Sequence, residues 1–195
     1  MYIYQSDWFT PQIPIWEKYL NEYKGKEHIS FLEIGSFEGR SAVWLLTTIL
    51  TSPSARLICI DTFGGSIENQ TKHHIDLTQI EKNFDSNIGQ TGSGNKVAKI
   101  KDFSSRAFQK LPYLSQDVIY IDGSHTAPDV LSDGVLYFHL LKVGGIMIFD
   151  DYEWEEIGMT GLNTPKPAID AFLSIYQEKI EVLFMGMQVI IRKKI

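Results

Sequence analysis

The stretch FLEIGSFEGRS, residues 31–41, decides the fold of this chain. An apolar run that contains Glu33 ends at a turn with two glycines, Gly35 and Gly39, and a segment with helical periodicity follows. Glycine lets the backbone turn sharply and lets a ligand approach closely, and the first turn of a helix offers unpaired N–H groups to an anion. This order is typical of the first unit of an open α/β sheet, where ligands bind beyond the carboxyl ends of the strands.

Outward from this unit, short apolar runs alternate with segments of helical periodicity. The predicted strands are residues 29–34, 56–60, 97–100, 118–121, 146–149, 180–184 and 188–191. The predicted helices are residues 15–23, 40–50, 76–88, 105–111, 127–141 and 165–179. The first five strands are apolar almost throughout, which indicates parallel strands covered on both faces. Only residues 185–187 separate the last two strands, so we expect a mostly parallel, doubly wound α/β sheet that ends in an antiparallel hairpin.

The composition is that of an ordinary globular protein. With 195 residues, 44% of them hydrophobic, we expect a single domain over residues 1–195, in which residues 1–28 form an N-terminal helical segment. The formal net charge of -6 argues against nonspecific binding to nucleic acid or to an acidic membrane surface. The single cysteine, Cys59, excludes a disulfide framework, and no apolar run approaches the roughly 18 residues of a membrane span. These features predict a cytoplasmic protein.

The glycine-rich turn does not fit a dinucleotide. The dinucleotide fingerprint G-x-G-x-x-G needs glycine where Phe37 and Arg40 stand when counted from Gly35. The pattern E-x-G-x-x-x-G instead favours a ligand with a carboxylate, an ammonium group and a ribose but no phosphate, such as S-adenosylmethionine. Asp61, which ends the second strand, is placed to accept hydrogen bonds from both ribose hydroxyls. A tight turn without ligand and a turn-capping Asp61 are the alternatives.

The third strand leads into the polar residues Asp102, Phe103 and Ser104. They follow a carboxyl end of the sheet, where an adenine ring would lie. The alternative is that Ser104 or Ser105 caps the next helix, a common role for serine.

The fourth and fifth strands end in IDGSH and FDDY, which carry Asp122, His125, Asp150 and Asp151. Neighbouring parallel strands would bring these ends to one edge of the sheet, where the carboxylates would repel unless a proton or a cation neutralises them. Hard oxygen ligands favour Mg²⁺, Mn²⁺ or Ca²⁺, which makes the three aspartates a candidate metal site. His125 has a pKa suited to a general base. The alternatives are helix- and turn-capping aspartates and a structural histidine.

Several motifs together resemble class I S-adenosylmethionine-dependent methyltransferases. The resemblance runs in order from about residue 29 to residue 193 and is carried by FLEIGSFEGRSAVWLL, ICIDTFGG, IKDFSSRAFQKL, VIYIDGSHTAPDVLSDGVLYFHLLKVGGIMIFDDYEW, PAIDAFL and MQVIIRK. The most similar branch is the metal-dependent O-methyltransferases of natural-product and macrolide-sugar modification. The resemblance implies a Rossmann-like sheet of seven strands with a reversed last strand.

The resemblance also implies the roles of individual residues. Glu33 and Gly35 would flank the methionyl part of the cofactor, Asp61 would hold the ribose, and Ser104 would lie near the adenine. The full set implied for the cofactor is Glu33, Gly35, Ser36, Gly39, Asp61, Thr62, Asp102, Phe103, Ser104 and Asp122. The metal ligands implied are Asp122, Asp150 and Asp151, and the catalytic base implied is His125.

One departure from the branch concerns Ser124, which stands where some relatives carry an acidic base. Serine cannot act as that base, so the role passes to His125 or to the metal alone. The expected function is S-adenosylmethionine-dependent O-methyl transfer to a small-molecule hydroxyl of a sugar or natural product, assisted by Mg²⁺ or another divalent cation. The alternatives are a methyltransferase that uses no metal and a non-catalytic protein that binds S-adenosylmethionine. Neither nucleic acid nor membrane is an expected partner, and a homo-oligomer stays open.

Overall fold

The computed structural model describes residues 1–65, 73–154 and 160–195. Its sheet has seven strands in the order β3-β2-β1-β4-β5-β7-β6. The strands are β1 (Ser30–Ile34), β2 (Arg56–Asp61), β3 (Val97–Lys101), β4 (Gln116–Ile121), β5 (Leu141–Phe149), β6 (Ile180–Met185) and β7 (Val189–Lys193). The pairs β1–β4, β2–β3 and β4–β5 are parallel, whereas β5–β7 and β6–β7 are antiparallel. The predicted doubly wound sheet and its C-terminal hairpin are therefore confirmed.

The helices differ from the predictions at their ends. The α-helices are α1 (Ile13–Leu20), α2 (Arg40–Trp44), α3 (Ile80–Gln90), α4 (Ser104–Ala107), α5 (Ala127–Phe138) and α6 (Lys166–Tyr176). The predicted start at residue 76 is wrong, because the Asp76 carboxylate accepts the amide and hydroxyl of Thr78 in a local turn that competes with the helix. The alternative role of Ser104 or Ser105 as the cap of α4 is wrong, since Phe103 is the N-cap residue and makes no side-chain cap bond.

The chain groups into two compact units, one formed by residues 1–29 and 36–101 and the other by residues 30–35 and 102–195. The first unit contains β2, β3 and α1–α3, and its buried side chains include Trp16 and Phe84. The second contains β1, β4–β7 and α4–α6, and is packed around Phe149 and Phe172. The expectation of one domain over the whole chain stays a prediction. Among the described residues, no helix has both the length and the apolar character needed to cross a membrane.

Within the second unit, β1, β4 and β5 share one register. Phe31 pairs with Val118, and Ile121 pairs with Phe149, so the three strands end at the same edge. Their residues near this edge are buried without interruption, as expected for parallel strands covered on both faces. The residues that follow β4 and β5 are therefore held side by side.

Candidate active site

The two glycines of the opening stretch are required by backbone geometry. Gly35 has a φ of +85°, and a Cβ at this position would lie 1.8 Å from the carbonyl oxygen of Asp122. Only glycine therefore allows the end of β1 to approach the end of β4 this closely. Gly39, with a φ of +77°, is the N-cap of α2 and closes the turn by donating its N–H to Ser36 O at 2.7 Å.

Asp61 faces the backbone amides of two neighbouring turns. Its Oδ2 accepts the Phe37 N–H at 2.7 Å, and its Oδ1 accepts the Phe63 N–H at 2.6 Å. Burial raises the pKa of the Asp61 carboxyl, and hydrogen bonds from backbone amides, including those of Ser36 and Thr62, oppose that shift. The carboxylate thus ties the glycine-rich turn to the end of β2, as the turn-capping alternative expected, and the contact with a ribose stays a prediction.

The residues after β3 are held by contacts of several kinds. Asp102 accepts the Phe103 N–H at 2.9 Å and the Lys110 ammonium at 3.0 Å, and the hydrogen bond from Lys110 is the main reason why the pKa of Asp102 is lowered. Phe103 is 59% exposed, so one face of its ring is available for a contact. Ser104 begins α4, where its carbonyl accepts the Tyr137 hydroxyl at 2.8 Å. These positions leave the predicted adenine contacts untested.

Asp122, His125 and Asp151 are brought together at the ends of β4 and β5. Each offers one ligand atom, and these atoms all lie within 4.8 Å of one another. His125 Nε2 lies 3.1 Å from Asp151 Oδ2, which holds the orientation of the imidazole. The His125 ring also packs against Trp154, with 4.7 Å between the ring centroids.

Asp150 faces a different set of partners. Its Oδ2 accepts hydrogen bonds from the Tyr120 hydroxyl and from Gln188 Nε2, and its Oδ1 accepts the Asp151 N–H at 2.8 Å. The Tyr120 hydroxyl also lies 2.8 Å from Asp122 Oδ2, so its single proton is shared between two carboxyl groups. Hydrogen bonds thus hold the Asp150 carboxylate, which is not one of the three groups whose ligand atoms converge.

Burial and the neighbouring acidic groups disfavour the ionised form of the carboxyls in this cluster. Burial, followed by the charges of Asp150 and Asp151, raises the pKa of Asp122 well above its usual value. Burial and the charge of Asp151 raise the pKa of Asp150 to about 6. Glu33, wholly buried in β1, adds a further negative charge that acts on Asp122. The arrangement favours the uptake of a proton or a cation.

Sequence reasoning missed Tyr120 and Gln188. The sequence indicated a role for them only weakly: each has a side chain with a polar group and lies in a strand or hairpin that is otherwise apolar. Ser124 lies two residues before Thr126, the N-cap of α5, and its hydroxyl donates to Asp129 at 2.8 Å and accepts the Thr126 N–H at 3.2 Å. It therefore has a local structural role.

Comparisons with known proteins identify the family of this chain. A family model described as a methyltransferase domain matches residues 32–152. An uncharacterized protein of Acanthamoeba polyphaga mimivirus is 31% identical over 147 residues, which are 71% of this chain and 59% of that protein. The match therefore spans less than two thirds of the relative's length.

Solved structures share the fold at low sequence identity. A putative O-methyltransferase from Klebsiella pneumoniae has a TM-score of 0.69 at 14% identity and covers 97% of this chain and 82% of its own. The O-methyltransferase TomG from Streptomyces achromogenes, solved with S-adenosylmethionine, has a TM-score of 0.67 at 14% identity over 94% of this chain and 80% of its own. MycE of the mycinamycin pathway was solved with Mg, S-adenosylhomocysteine and mycinamycin VI. It has a TM-score of 0.63 at 15% identity, and the match covers 97% of this chain and 51% of the MycE chain.

Proposed function

Because this chain belongs to the methyltransferase domain family, we propose that it transfers the methyl group of S-adenosylmethionine to a hydroxyl of a small molecule. The observation that carries this proposal is the imidazole of His125, which is held 3.1 Å from the carboxylate of Asp151 among the other acidic groups at the ends of β4 and β5. An imidazole in such a setting is suited to take a proton from a hydroxyl. TomG and MycE, which share the fold, are named as a natural-product O-methyltransferase and a macrolide-pathway methyltransferase.

The cofactor residues form two groups, one in each compact unit. In the first unit the proposed residues are Ser36, Gly39, Asp61 and Thr62. In the second unit they are Glu33, Gly35, Asp102, Phe103, Ser104 and Asp122. A carboxylate has about four acceptor sites, so Asp61 retains the capacity to accept ribose hydroxyls beside its two backbone amides.

The carboxylates at the ends of β4 and β5 fit a divalent cation. Their oxygens are the hard ligands that Mg²⁺ and Mn²⁺ prefer, and a cation would reduce the repulsion between Asp122, Asp150 and Asp151. Asp122, Asp150 and Asp151 would hold the ion, and His125, which lies close to Asp122 and Asp151, would stay free to act as the base. When bound, such an ion lowers the pKa of a hydroxyl and fixes its position.

The proposed transfer needs one base and one leaving group. The acceptor oxygen attacks the methyl carbon as the carbon–sulfur bond breaks, and the electron pair of that bond stays on sulfur to give S-adenosylhomocysteine. His125 takes the hydroxyl proton, and the Asp151 carboxylate stabilises the imidazolium that forms. Trp154, in contact with the His125 ring, would meet an apolar part of the acceptor.

The test begins with binding of S-adenosylhomocysteine by calorimetry, followed by methyl transfer to a panel of sugar and phenol hydroxyls. We expect His125→Ala to slow transfer by about 10²–10⁴-fold and to leave the affinity for S-adenosylhomocysteine unchanged. The matched control is His139→Ala, because His139 packs against Tyr113 at a ring distance of 5.9 Å and takes no part in the cluster. Binding without transfer to any acceptor would favour the non-catalytic alternative, and tight binding of NADH alone would refute the proposal.

A further inference from the structure

The turn that follows β5 contacts His125 at two places. Residues 151–154, here called the Asp151–Trp154 turn, are closed by a hydrogen bond of 3.1 Å from the Trp154 N–H to the Asp151 carbonyl. At the start of the turn, a carboxylate oxygen of Asp151 lies 3.1 Å from His125 Nε2. At its end, the Trp154 indole packs against the imidazole with 4.7 Å between the ring centroids. The position of the imidazole therefore depends on the position of this turn.

The first residue of the Asp151–Trp154 turn has an unusual backbone conformation. Asp151 has a φ of +59°, in the left-handed region that residues other than glycine rarely adopt. Aspartate tolerates this region better than most residues, but a residue in it still persists only where the surrounding structure holds it there. Contacts that fix the rest of the turn are therefore needed to keep the Asp151 carboxylate beside His125.

Tyr152 supplies such contacts, because both its backbone and its side chain are held. Its N–H donates to the Met187 carbonyl at 2.8 Å, which connects the turn to the hairpin of β6 and β7. Its ring is buried, and its hydroxyl donates to Asp170 Oδ1 at 2.8 Å. Since Asp170 belongs to α6, Tyr152 connects the turn to two separate elements of the fold.

Lys166, at the start of α6, completes these contacts. Its Nζ donates to the Tyr152 hydroxyl at 2.6 Å, forms an ion pair of 3.0 Å with Asp170 and lies 4.1 Å from the centre of the Tyr152 ring. A half-exposed ion pair contributes little to stability by itself, but hydrogen bonds from or to charged groups fix the phenol in one orientation. The helix that carries both charges is fixed in turn, since Ile169 and Phe172 bury its opposite side chains.

We propose that Tyr152, Lys166 and Asp170 form an anchor that positions the proposed catalytic base. The anchor holds the Asp151–Trp154 turn to α6, and the turn holds the His125 imidazole by a carboxylate and an indole. The three residues are positioning residues, because they act on the imidazole through the turn. This inference rests on the proposed function, since it takes His125 as the base. It adds a contribution from α6, a helix that supplies none of the proposed cofactor, metal or catalytic residues.

The first experiment follows the imidazole by proton NMR in the presence of a chelator, without cofactor or acceptor. The ring-proton signals of His125 are assigned by their absence in His125→Ala. Trp154→Leu gives the position of these signals without the ring current of the indole. Tyr152→Phe keeps the buried ring and removes only the hydroxyl. We expect the His125 signals of Tyr152→Phe to move toward their position in Trp154→Leu.

Three matched substitutions on α6 separate positioning from general stability. Asp170→Ala removes the acceptor of the Tyr152 hydroxyl and should move the His125 signals as Tyr152→Phe does. Asp170→Asn keeps an acceptor oxygen and should move them less than Asp170→Ala. Tyr176→Phe is the control, because it removes a hydroxyl from the same helix about 15 Å along the axis from Lys166, and it should leave the signals in place.

The second experiment measures methyl transfer to whichever sugar or phenol of the panel the unaltered protein methylates. Tyr152→Phe should lower kcat about tenfold, because a displaced base takes the hydroxyl proton less efficiently. The KM for S-adenosylmethionine and the affinity for S-adenosylhomocysteine should stay unchanged, since the anchor does not hold the proposed cofactor residues.

Each result decides the inference. His125 signals that stay in place in both Tyr152→Phe and Asp170→Ala, or that move with no change in kcat, would overturn it without affecting the proposed function. Equal movement in Tyr176→Phe would also overturn it, because the effect would then be a general loss of structure. If the signals move as expected but the unaltered protein methylates no acceptor, the anchor stands and the proposed function fails.

Discussion

The buried carboxyl of Asp133 gives a quantitative prediction about stability. Asp133 lies in α5 and is 4% exposed, and burial raises its pKa from 3.8 to about 6, with a smaller increase from Asp129 and an opposing hydrogen bond from Ser104. Because the folded state binds the proton more tightly than the unfolded state, this group stabilises the fold fully below about pH 4. That stability is lost as the pH rises through about 6.

The substitution Asp133→Asn removes the buried charge and keeps a side chain that can bond to Ser104. A difference of about two pH units between the folded and unfolded pKa corresponds to about 3 kcal/mol at most, so we expect a gain of about 1–3 kcal/mol in the free energy of unfolding at pH 7.5. Near pH 4 the gain should be close to zero, because Asp133 is then protonated in the folded protein.

The assay is urea unfolding of both proteins at several values between pH 4 and pH 8. Glu178→Gln is the matched control, since it removes one exposed carboxylate from the same unit and should leave the pH dependence unchanged. A variant that is no more stable than the unaltered protein at pH 7.5 would refute the reasoning. It would mean that the ionised carboxyl is compensated by groups that burial alone does not reveal.

Four further outcomes are expected. Asp61→Ala should weaken binding of S-adenosylhomocysteine by about 1–3 kcal/mol, measured by calorimetry, and unchanged affinity would remove Asp61 from the site. Gly35→Ala should destabilise the fold by about 3 kcal/mol or more in urea unfolding, because its Cβ would lie 1.8 Å from a backbone oxygen and its φ is +85°; wild-type stability would show that β1 and β4 can move apart. Mg²⁺ or Mn²⁺ should raise the melting temperature, and a chelator should reverse the gain. Asp150→Asn should lose most of this response to the metal ion. An unchanged response in that variant would place Asp150 outside the metal site. Tyr120→Phe should lower the affinity for Mn²⁺ about 10- to 100-fold, the usual effect of removing a group that orients metal ligands, and electron paramagnetic resonance titration would disprove this by showing equal affinity.

The sequence by itself determined the sheet and the edge of the sheet that carries the candidate site. The local hydrophobic pattern predicts the strands, and the short connection between the last two strands predicts the hairpin. Both features depend on only a few neighbouring residues, so they can be recognised without the tertiary structure. The convergence of Asp122 and Asp151 followed from the same information, because parallel neighbouring strands must end at one edge. Helix ends were less predictable, since Asp76 and Thr78 form a competing local turn before α3.

The tertiary structure decided where the side-chain oxygens point. Asp150 turns to Tyr120 and Gln188 because the antiparallel strand β7 lies beside β5, and residue 188 is distant from both in sequence. In the sequence, Glu38 is not distinguished from other polar residues of a turn. In the folded protein, Gln5 and Asn83 donate hydrogen bonds to its carboxylate. A buried carboxylate accepts hydrogen bonds from whichever donors the packing places next to it. Because these donors come from segments distant in sequence, no periodic pattern in the sequence predicts them.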